Sequence, residues 1–211
     1  MSLAGEFAVR YAGLRQAYGT FTASNETRED GKASGKNITI SKELSDNDLL
    51  KLWEDHLSGH QSVGIVPIDE HNNCIWGAID VDEYQLDLKD LSIKIAKQKL
   101  PLVLCRSKSG GAHIYIFLSE PVAASMLQRK LRQIAASIGY GQAEIFPKQT
   151  QLLLERGDRG STLNMPYFGG ENSTRYAYGK DGAALTPQEF LDYTKNIELN
   201  PSALEKLEAS P

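Results

Sequence analysis

The order of strand-like and helical segments between residues 63 and 146 is the feature that most restricts how this chain can fold. Two apolar runs separated by a turn precede an amphipathic helix, a hairpin precedes a second helix, and a short apolar run follows. In order, these are strands over 63–68 and 74–82, a helix over 86–99, strands over 100–105 and 112–118, a helix over 122–138 and a strand over 143–146. We expect residues 63–68 and 74–82 to pair as a hairpin. The order as a whole predicts an α+β fold around an antiparallel, ferredoxin-like sheet.

The N-terminal part carries weaker signals. An amphipathic stripe predicts a helix over residues 5–18. Residues 22–36 are polar and rich in Gly and Ser, which predicts an exposed loop. Ser45 is placed to cap a helix over 46–57, and Asp48 is placed to bond back to the cap residue.

We expect the 211 residues to form one domain, since a chain of this length can bury a core of its own. Its expected parts are a helical and loop part over 1–62, a core over 63–180 and a helical tail over 181–211. Within the core, residues 151–178 are expected to be irregular to β. Two short helices are predicted in the tail, over 187–195 and 202–208.

Composition excludes several classes of protein. Hydrophobic residues make up 41% and charged residues 24% of the chain, as in ordinary globular proteins, so wholesale disorder is excluded. Cys74 and Cys105 are too few for a zinc site or a disulfide framework, and we expect both in the core and no zinc. The chain has no signal-peptide pattern and no apolar run of about 20 residues, so we expect a soluble, cytoplasmic protein without membrane contact.

The net charge of −4 conceals a basic half. Residues 94–180 contain 13 basic and five acidic side chains, a net charge of +8, which leaves −12 for the rest of the chain. A cluster of positive charge of this kind is the electrostatic footprint of contact with a phosphate backbone. The overall acidity therefore does not exclude nucleic acid as a partner.

Two carboxylates follow an apolar strand in the segment AIDVDEY. On a strand, Asp80 and Asp82 point the same way and are separated by about 6.6 Å, while Val81 faces the core. Two carboxylates at this spacing are suited to hold one or two divalent cations such as Mg²⁺ or Mn²⁺. The alternative is a strand end with solvated carboxylates.

A glycine-rich turn in RSKSGGAHIYIF is the second candidate for chemistry. Its backbone N–H groups are placed to face phosphate oxygens, and basic side chains and a histidine flank it. The candidate residues for nucleotide binding here are Arg106, Ser107, Lys108, Ser109, Gly110, Gly111 and His113. The alternative is a Gly-Gly hairpin with an incidental histidine.

Two further segments carry polar side chains suited to nucleic acid. In AEIFPKQ, Glu144 could complete a set of metal carboxylates, and Lys148 could contact a phosphate; on its own, Glu144 also fits a solvated strand edge. In RGDRGSTLNMPYFGG, arginines and the aromatic pair Tyr167 and Phe168 offer charge and stacking. The candidate contacts for nucleic acid are Arg156, Arg159, Asn164, Tyr167 and Arg175.

In combination and in this order, these motifs resemble the archaeo-eukaryotic primase superfamily, and within it the primase-polymerases of phages, plasmids and mobile elements. The resemblance rests on an hhhDhD strand at residues 78–82, a small-x-His strand at 111–113 and a hydrophobic-acid strand at Glu144. The stretch GSTLNMPYF at residues 160–168 is also similar. The resemblance spans roughly residues 49–178.

The resemblance implies a bilobed catalytic domain in which an RRM-like sheet carries the active site and a smaller N-terminal α/β lobe supports it. It implies template-directed nucleotidyl transfer with two Mg²⁺ or Mn²⁺ ions held by Asp80, Asp82 and Glu144. His113 would contact the phosphates of the incoming nucleotide, helped by the turn residues and by Lys148. Family members often have Asp at the third acidic position, and this chain lacks the cysteine-rich zinc module of larger relatives.

The same resemblance implies partners and context. The substrates would be a single-stranded DNA template, a primer, and dNTPs or NTPs. A helicase or a helical primase domain would belong to a longer chain from which this one is a piece. A cytoplasmic protein encoded by a bacterium, phage or plasmid is expected, and Tyr84 is a candidate for sugar discrimination.

Three other classes remain as alternatives. A non-catalytic RRM-like module that binds nucleic acid would share the sheet and the basic face, but would not need converging carboxylates. A rolling-circle replication initiator uses a His-hydrophobic-His metal site and a nucleophilic Tyr, whereas His113-Ile114-Tyr115 lacks the second His. A glycosyltransferase also uses Asp-x-Asp, usually in a longer, doubly wound chain.

Overall fold

Two four-stranded antiparallel sheets and their covering helices make up the part of the chain that the computed structural model describes, residues 1–27, 29 and 33–209. The strands are β1 (Ala17–Thr27), β2 (Ala33–Ser41), β3 (Ser62–Ile65), β4 (Asn73–Val81), β5 (Val103–Arg106), β6 (Ala112–Ala123), β7 (Glu144–Phe146) and β8 (Leu163–Asn164). The helices are α1 (Leu3–Arg10), α2 (Asp46–Leu57), α3 (Leu88–Lys97), α4 (Ala124–Ser137), α5 (Pro187–Ile197) and α6 (Pro201–Lys206). The first sheet has the order β2-β1-β3-β8, and the second has the order β5-β6-β4-β7. Helices in the described residues are all too short or too polar to cross a lipid bilayer.

The second sheet has the connectivity that the sequence predicts. Along the chain its elements follow the order β4-α3-β5-β6-α4-β7, and every neighbouring pair of strands is antiparallel. Helices α3 and α4 cover one face, where Leu91 and Leu131 pack with Ile79 and Ile114 in one apolar cluster. The predicted α+β, ferredoxin-like fold is therefore confirmed.

The two central strands, β4 and β6, are buried on both faces. In β4, Ile79 and Val81 belong to the cluster under the helices, and Trp76 and Ala78 belong to a cluster on the opposite face. Burial on both faces explains why these strands consist of nearly continuous apolar residues. Asp80 is the polar exception near the end of β4.

An aromatic cluster on that opposite face joins the N-terminal helices to the second sheet. Its rings come from α1, α2, α5 and the central strands: Phe7, Tyr11, Trp53, Trp76, Tyr115, Phe117 and Phe190. The ring of Tyr11 meets those of Trp76 and Tyr115 edge-on, with centroid distances of 5.2 Å in both pairs. Val63 and Leu163 of the first sheet pack in the same cluster, which therefore holds the two sheets together.

The N-terminal helix is shorter than predicted, and the predicted loop is a hairpin. Helix α1 ends at Arg10, since the chain then turns to run beside Val66, whose carbonyl oxygen accepts from the backbone N–H of Leu14 at 2.9 Å. The loop prediction for 22–36 is wrong, because β1 and β2 pair there as antiparallel strands. Most residues of β2 are exposed because the strand lies at a sheet edge. An exposed edge strand can consist of polar residues, and these were interpreted as a loop. Residues 28 and 30–32 of that prediction lie outside the described residues.

The hairpin predicted between residues 63–68 and 74–82 is also wrong. Strand β3 pairs with β1 and β8 in the first sheet, while β4 lies in the second sheet. Both β3 and β4 are largely buried, and an apolar sequence does not determine which strand each one pairs with. The turn between them is present, and its Asp69 carboxylate accepts from the backbone N–H groups of His71 and Asn73.

Helix α2 has the predicted bounds and the predicted cap. The side chain of Ser45 accepts from the N–H of Asp48, and the side chain of Asp48 accepts from the N–H of Ser45. The helices predicted over 86–99 and 122–138 are each a few residues shorter than expected. The short strand β7 and both tail helices are also present.

His56 of α2 ties three elements together in the core. Its Nε2–H donates to the carbonyl oxygen of Pro166 at 2.7 Å, and its Nδ1 accepts from the backbone N–H of Val63 at 3.0 Å. This pair of bonds requires the neutral ring. Burial lowers the pKa of His56 from its ordinary 6.5 to about 4, with a smaller contribution from the charge of Arg175.

The free energy of unfolding should therefore fall as the pH falls through the window from 6.5 to about 4. The unfolded chain binds a proton there that the folded chain excludes, which removes roughly 2 to 3 kcal/mol between about pH 7.5 and about pH 4.5. Urea unfolding at both pH values measures this change in the free energy of unfolding. The His56→Asn variant should lose this part of the pH dependence, and the exposed-site control His71→Asn should keep it. An equal loss in His56→Asn and the parent would contradict the assignment.

Candidate active site

The register of the second sheet brings three polar residues to one level. Asp80 on β4 lies directly opposite His113 on β6 and opposite Glu144 on β7. Residues that lie opposite each other in an antiparallel pair share a face of the sheet. The three side chains therefore stand side by side on the face that also carries the aromatic cluster, and Nε2 of His113 is 3.4 Å from Oδ1 of Asp80.

These carboxylates line one cavity, which we call the acidic pocket. It has a volume of about 460 Å³ and is lined by Asp80, Asp82, Glu83, Glu144 and the loop from Gly139 to Ala143. Carboxylate oxygens are the donors that Mg²⁺ and Mn²⁺ prefer, so the donor chemistry of the pocket fits these cations.

The carboxylates of the acidic pocket are not arranged as a set of metal ligands in this structure. Among the described residues, no group of three His, Cys, Asp or Glu side chains converges closely enough to hold a metal ion. Asp82 instead accepts from the hydroxyl of Tyr84 at 2.5 Å, and Glu144 pairs with Lys148 at 3.1 Å. The side chain of Glu144 is 61% exposed, so it can rotate away from Lys148 toward Asp80 at little cost.

A larger and oppositely charged cavity lies between the two sheets, and we call it the basic cleft. Its volume is about 1090 Å³. Its walls come from the β1–β2 hairpin, the start of β3, Tyr84, the β5–β6 turn and the segment 168–175. Its principal side chains are Phe21, Gln61, Arg106, Lys108, Phe168 and Arg175.

Arg175 is a buried cation of this cleft. Its side chain donates to the carbonyl oxygen of Met165 at 3.2 Å and to Oγ of Ser62 at 3.4 Å, and it lies over the ring of Phe168. Within the described residues Arg175 forms no ion pair with a carboxylate. Burial lowers its pKa to about 10, which leaves it charged at neutral pH and short of a counter-ion.

Lys108 is the second cation of the cleft, and it bridges the two sheets. Its Nζ lies 3.3 Å from the centroid of the Phe21 ring, so the β5–β6 turn rests on the β1–β2 hairpin through a cation–π contact. Burial lowers the pKa of Lys108, and the charge of Arg175 lowers it further. Two cations close together in a partly buried cleft form a site that favours an anion.

Glycine is required at two positions of the β5–β6 turn. The N–H of Ser107 donates to the carbonyl oxygen of Gly111 at 2.9 Å, which closes the turn. Gly110 has a φ of +90°, a conformation that other residues adopt only with strain. A Cβ on Gly111 would lie 2.4 Å from the carbonyl oxygen of Val81, so the turn packs directly against the end of β4.

Several predicted nucleic-acid contacts lie away from these cavities. Asn164 sits on β8 opposite Gly64, and Arg159 is bonded to the carbonyl oxygens of Leu154 and Asp158. Arg156 is exposed at the end of a short 3-10 helix, Leu154–Arg156, between β7 and β8. Neither arginine lines the acidic pocket or the basic cleft.

Tyr167 is not placed to stack on a base. Its ring is 1% exposed and packs on Phe7 and Phe190, and its hydroxyl donates to the carbonyl oxygen of Leu185. The neighbouring Phe168 is the member of the pair that lines the cleft. Sequence reasoning missed Phe21 and Gln61; Phe21 lies directly before the polar segment 22–36 that was interpreted as a loop, and neither residue belongs to a motif.

The comparison with protein families decides the family. The model described as the Archaeo-Eukaryotic Primase domain of the TOTE conflict system matches residues 5–199, nearly the whole chain. The chain belongs to this family. The superfamily resemblance drawn from the motifs is thereby confirmed, and membership of this primase family supports a role as a nucleotidyltransferase or primase.

Solved structures similar to this primase domain are distant from it. One is the polymerase domain of ligase D from Mycobacterium tuberculosis in complex with DNA, at 14% identity and a TM-score of 0.43, covering 92% of this chain and 86% of that one. Another is the primase RepB′, at 11% identity and a TM-score of 0.40, covering 92% of this chain and 62% of that one. Likenesses this distant do not transfer the role of any residue. No curated protein has a matching sequence.

The close packing of Gly111 against β4 makes a prediction about stability. Gly111→Ala should lower the free energy of unfolding by about 2 kcal/mol, because the new methyl group must displace the backbone of β4 or β6. Gly141→Ala is the matched control, since a Cβ there meets only ordinary contacts at 3.6 Å. Urea unfolding measures both, and equal stability of the two variants would show that the turn is free to move.

Proposed function

We propose that this primase domain is a DNA primase-polymerase that joins nucleotides on a single-stranded DNA template. One observation carries the proposal: the acidic pocket and the basic cleft meet where Tyr84 and Asp82 are hydrogen-bonded. Tyr84 lines the cleft, and its hydroxyl donates to Asp82, which lines the pocket. A cluster of carboxylates next to a cluster of basic side chains is suited to a reaction between a hydroxyl and a triphosphate.

The carboxylates would hold the cations of the reaction. Asp80 and Asp82, with Glu144 as a third ligand, are the proposed ligands for two Mg²⁺ or Mn²⁺ ions. When bound, such ions supply the positive charge that activates the attacking 3′-hydroxyl and stabilises the departing pyrophosphate. The proposed transfer is direct, from the hydroxyl to the α-phosphorus, and involves no covalent intermediate with the protein.

The cleft would hold the nucleotide. Arg175 and Lys108 neutralise phosphate charge in partly buried positions, where a charged hydrogen bond is strong. Arg106, Ser107, Ser109, Gly110 and Gly111 are the proposed turn contacts to the same phosphates, and Lys148 is a proposed contact on the side of the pocket. His113 would donate from Nε2 to a phosphate oxygen, in place of its contact with Asp80.

In the reaction, the 3′-oxygen of the primer, or of an initiating nucleotide, forms a bond to the α-phosphorus. The bond from that phosphorus to the bridging oxygen of the β-phosphate breaks, pyrophosphate leaves, and the proton of the hydroxyl passes to solvent. In this proposal the protein positions the reactants and supplies charge. The basic cleft would hold the triphosphate, and the acidic pocket would hold the attacking 3′-hydroxyl.

The other partners are part of the same proposal. We propose Arg156, Arg159 and Asn164 as contacts for the template or primer outside the two cavities. We also propose that residues 1–211 act as one catalytic domain of a longer primase, together with a helicase or helical domain, in a cytoplasm that holds phage, plasmid or other mobile DNA. The support for this context is the family resemblance alone.

The direct test is synthesis on a single-stranded template. With Mn²⁺, we expect template-dependent product from dNTPs or NTPs, supplied as separate pools, with and without a primer. Asp82→Asn should lower the rate more than a hundredfold, because a metal ligand supplies several kcal/mol of transition-state stabilisation. Asp90→Asn, on the exposed surface of α3, is the matched control and should retain the parent rate.

A protein that binds the template but makes no product under any of these conditions would instead be the non-catalytic binding module. Product from Asp82→Asn within a few-fold of the parent would refute the metal assignment without refuting synthesis. The first outcome tests whether the protein synthesises DNA, and the second tests whether Asp82 is a metal ligand.

The cleft assignment makes its own prediction. Lys108→Gln and Arg175→Lys should each raise the KM for the incoming nucleotide about tenfold, the value of one charged hydrogen bond, with a smaller effect on kcat. Arg129→Gln, on the outer surface of α4, is the control. Steady-state extension at varied nucleotide concentration measures KM, and an unchanged KM in both cleft variants would place the triphosphate elsewhere.

A further inference from the structure

The two walls of the basic cleft differ in chemistry. The second sheet contributes Arg106 and Lys108, with Arg175 beside them. The opposite wall, from the first sheet and the residues leading into β3, is polar but has no carboxylate, ammonium or guanidinium group among the described lining residues. Its polar side chains include those of Thr22, Ser34, Asn37, His60 and Gln61. A nucleoside triphosphate divides in the same way, into an anionic triphosphate and an uncharged nucleoside, and a cleft of about 1090 Å³ has room for both parts.

The amide of Gln61 is fixed in orientation at this uncharged wall. Its Nε2 donates to the carbonyl oxygen of Phe21 at 3.0 Å and to the hydroxyl of Thr20, both on β1. A backbone carbonyl can only accept, so the end of the amide that faces β1 is the NH₂ group, and both of its hydrogens are in use. Among the described residues, no group donates to Oε1 of Gln61. Because the residue is exposed, this oxygen is an oriented acceptor that a ligand in the cleft can reach.

This acceptor lies next to the buried cation of the cleft. Ser62 follows Gln61 directly at the start of β3, and its Oγ accepts from Nη1 of Arg175 at 3.4 Å. In a nucleotide the ribose is the group joined directly to the phosphates, so a phosphate on Arg175 brings the ribose hydroxyls close to Gln61. A hydroxyl is a donor that suits a neutral amide oxygen. A carboxylate at the same position would repel the phosphates, whereas the amide does not.

We propose that Gln61 is a specificity-determining residue whose Oε1 accepts a hydrogen bond from a ribose hydroxyl of the incoming nucleotide. The proposal rests on the function proposed above, in which the basic cleft holds the triphosphate. A bond to the 2′-hydroxyl makes the protein favour ribonucleotides over deoxyribonucleotides. A bond to the 3′-hydroxyl makes it accept both and discriminate against 3′-deoxy nucleotides. In either case the nucleotide that lacks the hydroxyl leaves the oriented acceptor without its partner.

The test measures binding without any reaction. Isothermal titration calorimetry gives the Kd of the full chain for ATP, 2′-deoxy-ATP and 3′-deoxy-ATP, without template or primer. The parent should bind ATP about fivefold more tightly than one of the two analogues, the value of one neutral hydrogen bond, and that analogue identifies the hydroxyl. In Gln61→Met the affinity for ATP should fall about fivefold and its advantage over that analogue should disappear. Variant and analogue each remove one side of the same hydrogen bond, so their effects do not add.

The ratio of the affinities separates a ligand contact from a structural role. If Gln61 only ties β3 to β1, Gln61→Met should weaken the binding of all three nucleotides by the same factor, and this result would overturn the proposal. A preference for ATP that survives in Gln61→Met would belong to another residue and would also overturn it. Gln61→Ala is a second variant without the acceptor and should lose the preference in the same way. Gln188→Met, on the exposed surface of α5, is the matched control and should keep the affinities of the parent.

The outcomes also separate this proposal from the proposed function. If the preference is present in the parent and lost in Gln61→Met, but the parent makes no product on any template, the ribose contact stands and the polymerase function fails. If the parent synthesises DNA and Gln61→Met has the same affinity ratios as the parent, only the role of Gln61 is refuted. Thermal unfolding of each variant verifies that the comparison is made on folded protein.

Discussion

The pairing of β4 with β6 on one side and β7 on the other is the constraint on which the rest of this structure depends. It places Asp80 opposite both His113 and Glu144, three residues that are far apart in sequence. Because both faces of the central strands are buried, a shift of register by one residue would turn apolar side chains to the site and polar ones to the helices. Burial of the apolar side chains therefore sets the register of the sheet, and the register places Asp80, His113 and Glu144 next to one another.

The first sheet completes the site through packing rather than through hydrogen bonds to the second. The aromatic cluster brings α1, α2 and α5 onto the second sheet, and with them the β1–β2 hairpin that forms one wall of the basic cleft. His56 bonds α2 to β3 and to the segment before Tyr167, which leads on to Arg175.

The sequence was a good guide where one local pattern decides the structure. The strand and helix order of the second sheet and the cap of α2 depend on periodicity or on spacing within a few residues. The roles of Asp80, Asp82 and His113 stay predictions from the motifs. The sequence was a poor guide where the partner decides. Strand β2 is polar because it lies at a sheet edge, β3 pairs in the first sheet rather than with β4, and Tyr167 is buried in the core. None of these three outcomes can be recognised from the local sequence pattern. The cleft was missed for the same reason, since its two walls meet only in the folded chain.

The contact between Lys108 and Phe21 has a consequence for the proposed binding of a phosphate in the basic cleft. A cation over an aromatic ring is worth about 0.5–1 kcal/mol at a partly exposed site, whereas a charged hydrogen bond to an anion is worth about 1.5–3 kcal/mol. A phosphate bound in the cleft as proposed would therefore compete with the ring for the ammonium group. If it displaced the contact with Phe21, binding of the anion and release of this contact between the two sheets would be thermodynamically linked.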